Sequence, residues 1–171
     1  MKYFRRGTTK IYFKETGTIA TLSGPDLSSE LDTGMLEITC GVAEVSGFSF
    51  QNNPIDVPDM CSEFVSKIPG EDTADDSEMT FYDEIDSTLA GQGTGAYWTS
   101  LQKGADGYII FFPYGVSGSS GTAIAAGDEC EVWPVTVAKS TREFTAGNEP
   151  ARFMTTFTIT APPSQTAVVV A

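Results

Sequence analysis

Short runs of period-two alternation, cut apart by Gly, Pro, Ser and Asp turns, limit most strongly what this chain can fold into. The stretch KIYFK at 10–14 sets Ile11 and Phe13 on one face against Lys10, Tyr12 and Lys14 on the other. LEITCGV at 36–42 sends Leu36, Ile38, Cys40 and Val42 one way and Glu37 and Thr39 the other; Gly47 then marks a bend before Phe48 and Phe50. Runs at 63–68 and 78–83 flank PGEDTADDS, a segment of turn residues and carboxylates. GYIIFFPYG at 107–115 is apolar on both faces, which predicts cover on both, from the core on one side and from a helix or another subunit on the other. Trp133, Val135 and Val137 gather in 129–139, where Pro134 marks an edge or a bulge. The run at 151–160 alternates most clearly, Phe153, Phe157 and Ile159 against Arg152, Thr156, Thr158 and Thr160.

One helix is expected. Gly91, Gly93 and Gly95 rule out a long one, and 94–103 fits a short one, with Thr94 as cap, Tyr97 or Trp98 sharing a face with Leu101, and Gly104 just past the end. Roughly seven strands and one helix read as a mainly β protein, a β-sandwich or barrel with one short flanking α-helix. No linker or internal repeat divides the 171 residues, so a single domain over 1–171 is expected.

Charge narrows the function. Ten basic residues face 23 acidic ones, a net charge of −13, and there is no histidine. Such a surface repels phosphates at long range, and the commonest general base and metal ligand is missing. The three cysteines, Cys40, Cys61 and Cys130, match no zinc or redox spacing and read as small buried thiols. The basic start has no apolar core like that of a signal peptide, and no apolar run approaches the length of a membrane span; synthesis in the cytoplasm and no membrane association are expected.

The carboxylates are unevenly placed. Glu71, Asp72, Asp75, Asp76, Glu78, Asp83, Glu84 and Asp86 fall within 71–86, and no Lys or Arg occurs between Lys67 and Lys103. A glycosidase pair needs acids projecting from scaffold strands into a cleft, whereas most of these occupy one turn segment. The order of an EF-hand calcium loop, with its central glycine, is absent. GQGTG at 91–95 lacks the lysine and βαβ setting of a phosphate loop. No enzyme activity and no cofactor are expected, and the plain alternative is a solvated acidic loop. Against it stands the other pole: Lys2, Arg5, Arg6, Lys10 and Lys14 occupy the first fourteen positions. Opposite poles on one molecule suit a head-to-tail contact between copies, in which Lys2, Arg5, Arg6 and Lys10 meet Asp72, Asp75 and Asp76. Apolar surface at 48–50 and 109–111, including Phe48 and Phe50, with Ile55 in the loop that follows, is expected to supply the affinity.

In series, VSGFSFQNNPIDVPDMCSEFVSKIPGEDTADDSEMTFYDEIDS (45–87), KGADGYIIFFPYG (103–115) and CEVWPVTVAKSTREFTAGNEPARFMTTFTITAPP (130–163) resemble the major tail, or tail tube, proteins of long-tailed bacteriophages, in particular siphophages of actinobacteria. FRRGTTKIYF at the start fits as well. The resemblance implies a sandwich whose copies form hexameric rings stacked into a hollow virion tail tube that lets DNA pass without specific binding. It implies as partners a tape-measure protein, a tail terminator and tail-tip or baseplate proteins. It also implies an N-terminal arm at about 1–9, a long loop at about 51–60, an acidic loop at about 69–77 and a C-terminal arm at about 162–171. The competing expectation is an immunoglobulin-like adhesion or carbohydrate-binding module on a virion or cell surface.

Overall fold

The computed structural model describes residues 7–15, 19–31, 34–58, 65–83, 85–86, 93–119, 121, 123–144 and 147–171. The described elements are β1 (Lys10–Lys14), β2 (Met35–Glu37), β3 (Val42–Ser46), β4 (Phe50–Asn52), β5 (Ile55–Val57), β6 (Ser66–Ile68), β7 (Asp72–Ala74), β8 (Ser77–Tyr82), β9 (Ile85–Asp86), β10 (Gly93–Thr94), α1 (Ala96–Ser100), β11 (Asp106–Phe112), β12 (Glu129–Glu143), β13 (Arg152–Ile159) and β14 (Ser164–Val168). The fold is mainly β with one short helix, as expected. Its principal sheet is open, in the order β2-β1-β11-β12-β13-β8-β3, and β14 pairs with β12.

The sheet bends so that its two halves pack on each other. Ile11 and Phe13 of β1 and Ile109 of β11 meet Met79 and Phe81 of β8 and Phe153 and Phe157 of β13, with Trp133, Val135 and Val137 of β12 between them. Phe81 stacks on Phe153, ring centroids 5.0 Å apart, and Trp98 of α1 meets Phe153 edge-on at 5.2 Å. The helix thus closes one side of this first core, in the sandwich arrangement that alternating strands require.

A second core lies on the other face of β1, β11 and the first half of β12. Tyr12, Ile110, Phe112, Cys130 and Val132 are covered there by Ile19 and Leu31 and by Ala167 and Val169 of the C-terminal segment. The covering segment 19–31 is held by carboxylates. Asp26 accepts bonds from the N–H of Ser28 (2.9 Å) and Ser29 (2.8 Å), and Glu30 accepts from Ala20 (2.7 Å) and Asp26 (2.8 Å). Those bonds, the Ser29 N–H foremost, hold the Asp26 carboxyl below its ordinary pKa.

The structure corrects several sequence expectations. Strand 109–111 is covered on both faces by its own chain, with Ile109 and Ile110 fully buried and Phe111 half-buried against Phe48, so only the Phe111 ring is left partly open at the surface. Pro134 lies mid-strand in β12, opposite Tyr108, rather than at an edge. Its carbonyl accepts the Thr160 N–H (3.0 Å), so its nitrogen faces the same side, toward the irregular place where β12 changes partner from β14 to β13, which fits the bulge rather than the edge that the sequence allowed. Thr94 falls in β10, and Gly95 occupies the N-cap with no side-chain bond. Gly104 does adopt φ of +88° beyond the helix. Cys130 is buried as expected, but Cys40 is exposed; Cys61 lies outside the described residues.

Candidate assembly surface

Between β3 and β8 the chain leaves the sheet as one long, interrupted hairpin. β3 pairs with β8, then β4 with β7, then β5 with β6, all antiparallel. Every residue of β4, β5, β6 and β7 is exposed. The expected loops at 51–60 and 69–77 are therefore opposing limbs of a single β-arm, and Asp72–Ala74 is strand within the second of them. Gly70 permits the limbs to lie close, since a Cβ there would fall 2.0 Å from the Asn53 carbonyl oxygen. Gly47, with φ of +78°, and Phe48, with φ of 51°, form the bend at the arm's root.

The far part of the arm is amphipathic. Directly opposed residues of an antiparallel pair share a face. Ile55 opposes Ile68 and Val57 opposes Ser66, while Asp56 opposes Lys67 on the other face, joined by a 3.1 Å ion pair. Ile55 and Ile68 remain 53% and 50% exposed, and the neighbouring Val65 is 47% exposed. Nearer the root, Phe50 is also exposed beside a concavity formed by Thr73, Ala74, Ile159, Ala161, Pro162 and Pro163.

The other sequence-selected residues are spread more widely. Asp72 accepts a bond from the Asn52 amide (2.8 Å), and Asp76 from the Thr158 hydroxyl (3.0 Å); Asp75 is exposed. Phe48 turns inward, edge-on to Phe111 (5.1 Å) and Trp133 (5.6 Å), so it anchors the arm to the first core. Lys10 is engaged by Glu37, whose bond raises its pKa. Lys2, Arg5 and Arg6 lie outside the described residues. Among acids and arm residues, Phe50, Ile55, Asp72, Asp75 and Asp76 come together on one projection.

Sequence reading missed a second surface. The face of β3, β8, β13 and the end of β12 that turns away from the first core has no covering segment among the described residues. Cross-strand rows place Glu44 beside Thr80 and Met154, Ser46 beside Glu78 and Thr156, and Tyr82 beside Arg152. Alternation about Met79, Phe81, Phe153 and Phe157 carries the signal for this face, since their sequence neighbours must point outward. At the end of the β12–β13 hairpin, Phe144 is 92% exposed. No described group of His, Cys, Asp or Glu is disposed to hold a metal ion, and no described helix is long and apolar enough to cross a membrane.

Several solved structures share this architecture. The sheath/tube terminator of an extracellular contractile injection system, PVC, in its extended state, is similar with a TM-score of 0.56 and 11% identity over 95% of this chain and 96% of that one. The tube terminating cap of the anti-feeding prophage AFP is similar with a TM-score of 0.52 and 14% identity over 100% and 94%. At such identities the likeness is one of fold. No curated protein matches the sequence. The sequence profile of the family described as phage tail tube protein matches residues 1–171 from end to end, and the chain belongs to that family.

Proposed function

We propose that this protein is the major subunit of a siphophage tail tube. Copies form hexameric rings that stack into a hollow virion tube through which the genome leaves, and the subunit performs no chemistry. The observation that carries this reading is the β-arm. Four strands stand clear of the fold with Ile55, Val57, Val65 and Ile68 open to solvent, and a monomer gains nothing from such a projection. A neighbouring copy that covers the arm removes this apolar area from water. The acids Asp72, Asp75 and Asp76 then form a polar rim that meets a basic first segment, with Lys2, Arg5, Arg6 and Lys10 as its charges. Such a rim sets register and encounter rate more than affinity.

The open face of β3, β8 and β13 suits the wall of the bore. Glu44 and Glu78 lie among hydroxyls, and DNA carries about one charge per 1.7 Å of axis. Attraction to each passing phosphate would add along the genome, whereas a hydroxyl and carboxylate wall lets it slide. Tape-measure, terminator and tip or baseplate proteins complete the proposed set of partners.

Electron microscopy of the purified full chain, concentrated or seeded with tail-tip components, tests the reading. Open-ended tubes of variable length are expected. Single rings alone would assign the chain to a terminator, and persistent monomers under seeding would overturn assembly altogether.

A further inference from the structure

An exposed aromatic ring and an apolar hollow lie at opposite ends of one strand. Phe144 follows the last residue of β12, Glu143, which opposes Arg152 at the start of β13. Ile159 ends β13 and, with Phe50, Ala74 and Ala161, lines a hollow of about 340 Å³. β13 is eight residues long, so roughly 23 Å, at about 3.3 Å per step, separates the two features. Within one chain the ring and the hollow never meet.

A single apolar side chain on a surface is ordinary. What sets Phe144 apart is its mount. Next to it, Arg142 lies over the Trp98 ring at 4.2 Å and pairs with Asp83 at 2.8 Å, which ties the hairpin end to α1 and to the residue after β8. The Asp83 N–H also donates to the Ala151 carbonyl on the returning limb (2.8 Å). On this braced base the ring itself is 92% exposed, the most exposed large apolar side chain among the described residues. The hollow is fixed as well. The Thr158 hydroxyl donates to Asp76 (3.0 Å), holding the root of the arm to β13, and Pro162-Pro163 forms a stiff wall. Two parts that are already shaped lose little freedom when they join.

The occupant that fits is a second copy. Every copy carries both parts, so a shift along β13 brings the ring of one to the hollow of the next, and the contact repeats. Charge favours the same pairing. The lining of the hollow carries Asp72 and no base, while Arg142 and Arg152 stand at the foot of the ring, with Glu143 opposite Arg152. We infer that Phe144 is a knob that enters the hollow between Phe50 and Ala161 of a neighbouring copy. The β12–β13 hairpin end lies outside the arms and loops that the sequence resemblance implies, and it gives assembly a contact that uses neither terminus. The inference rests on the tube reading for its setting.

Disulfide trapping tests it on the full chain with Cys40 and Cys61 replaced by alanine; the buried Cys130 stays. A minority of Phe144→Cys chains is mixed with mass-tagged Ala161→Cys chains, so that most copies keep the ring, and the mixture is concentrated with tip components, oxidised and run on a non-reducing gel. A disulfide needs Cα atoms within about 7 Å, so a 144–161 bond joins two chains or does not form. A heterodimer is expected here and not from a control in which Tyr114→Cys, at an exposed site away from the hollow, replaces Ala161→Cys. Phe144→Ser chains should need about tenfold or more protein to assemble, with the melting temperature unchanged, and Phe144→Leu should restore most of the loss. No heterodimer in assembled samples, or an equal yield from the control, overturns the contact. Phe144→Ser chains that elongate normally but no longer start on tip components would assign the ring to such a component instead. Microscopy of the same samples separates the two readings: tubes without the heterodimer sink the contact alone, and heterodimers without tubes sink the tube reading alone.

Discussion

Phe153 shows how much one side chain can carry here. It is fully buried, stacked on Phe81 and met edge-on by Trp98, so it joins β13, β8 and the helix in one contact. Phe153→Ala should cost about 3–5 kcal/mol, measured by chemical denaturation, because no neighbour is free to fill the space. Asp128 makes a polar counterpart. Burial alone would raise its pKa, but bonds from Ser117 and the Ala125 N–H outweigh that and hold it below the ordinary 3.8. A depressed carboxyl stabilises the fold above its unfolded pKa, and that contribution fades as pH falls through the folded value. Asp128→Ala should therefore lower stability by roughly 1–3 kcal/mol at pH 7, with the gap to the parent closing as pH falls below the ordinary carboxylate value of 3.8 and on through the lowered folded one. A gap unchanged at acid pH would show that the carboxylate is not what fastens the 116–128 loop. Cys130 gives a chemical test. Burial first, then Asp128 and Glu131, push its thiol up to about 12. Alkylation of the native protein at pH 8, followed by peptide mapping, should label Cys40 and spare Cys130.

At the scale of elements, the arm and the sheet answer to different forces. Strands of the sheet are held by alternating burial, whereas β4 to β7 contain no buried residue and persist through backbone pairing and the Asn52–Asp72 and Asp56–Lys67 contacts. Exposed polar contacts of this kind are worth under about 1 kcal/mol each. Joint reversal of Asp72, Asp75 and Asp76 to lysine should leave the melting temperature almost unmoved and impair polymerisation, read by light scattering. Ile55→Asp with Ile68→Asp should do the same more severely, since it places charge on the apolar face. Normal tubes from both variants would reduce the arm to solvated surface. The arm was legible in part: Phe50, Ile55 and the acids were selected from the sequence. The run at 63–68 foreshadowed β6, whereas β4, β5 and β7 are three-residue strands that carry too little alternation to declare themselves.

For the whole molecule, the consequential feature is the division of one sheet face. Half is lidded by 19–31 and the C-terminal strand, and half is an open field of Thr80, Thr156, Thr158, Glu44 and Glu78. If that field lines the bore, Glu44→Lys with Glu78→Lys should still yield tubes, but tubes that retain duplex DNA at low salt and release it as salt rises. Failure to retain DNA would place the field elsewhere. Alternation by itself determined a mainly β fold, the first core and the positions of β1, β8, β11 and β13, because a period of two commits each side chain to a face wherever a strand happens to lie. Charge by itself showed only that bases gather in the first fourteen positions and acids in 71–86. Only the tertiary structure decided that 109–111 is enclosed by its own chain, that Pro134 sits mid-sheet where partners change, and that the tail is a strand paired with β12. Those outcomes depend on which distant segment lies alongside, and local pattern holds no record of a neighbour that is far away along the chain.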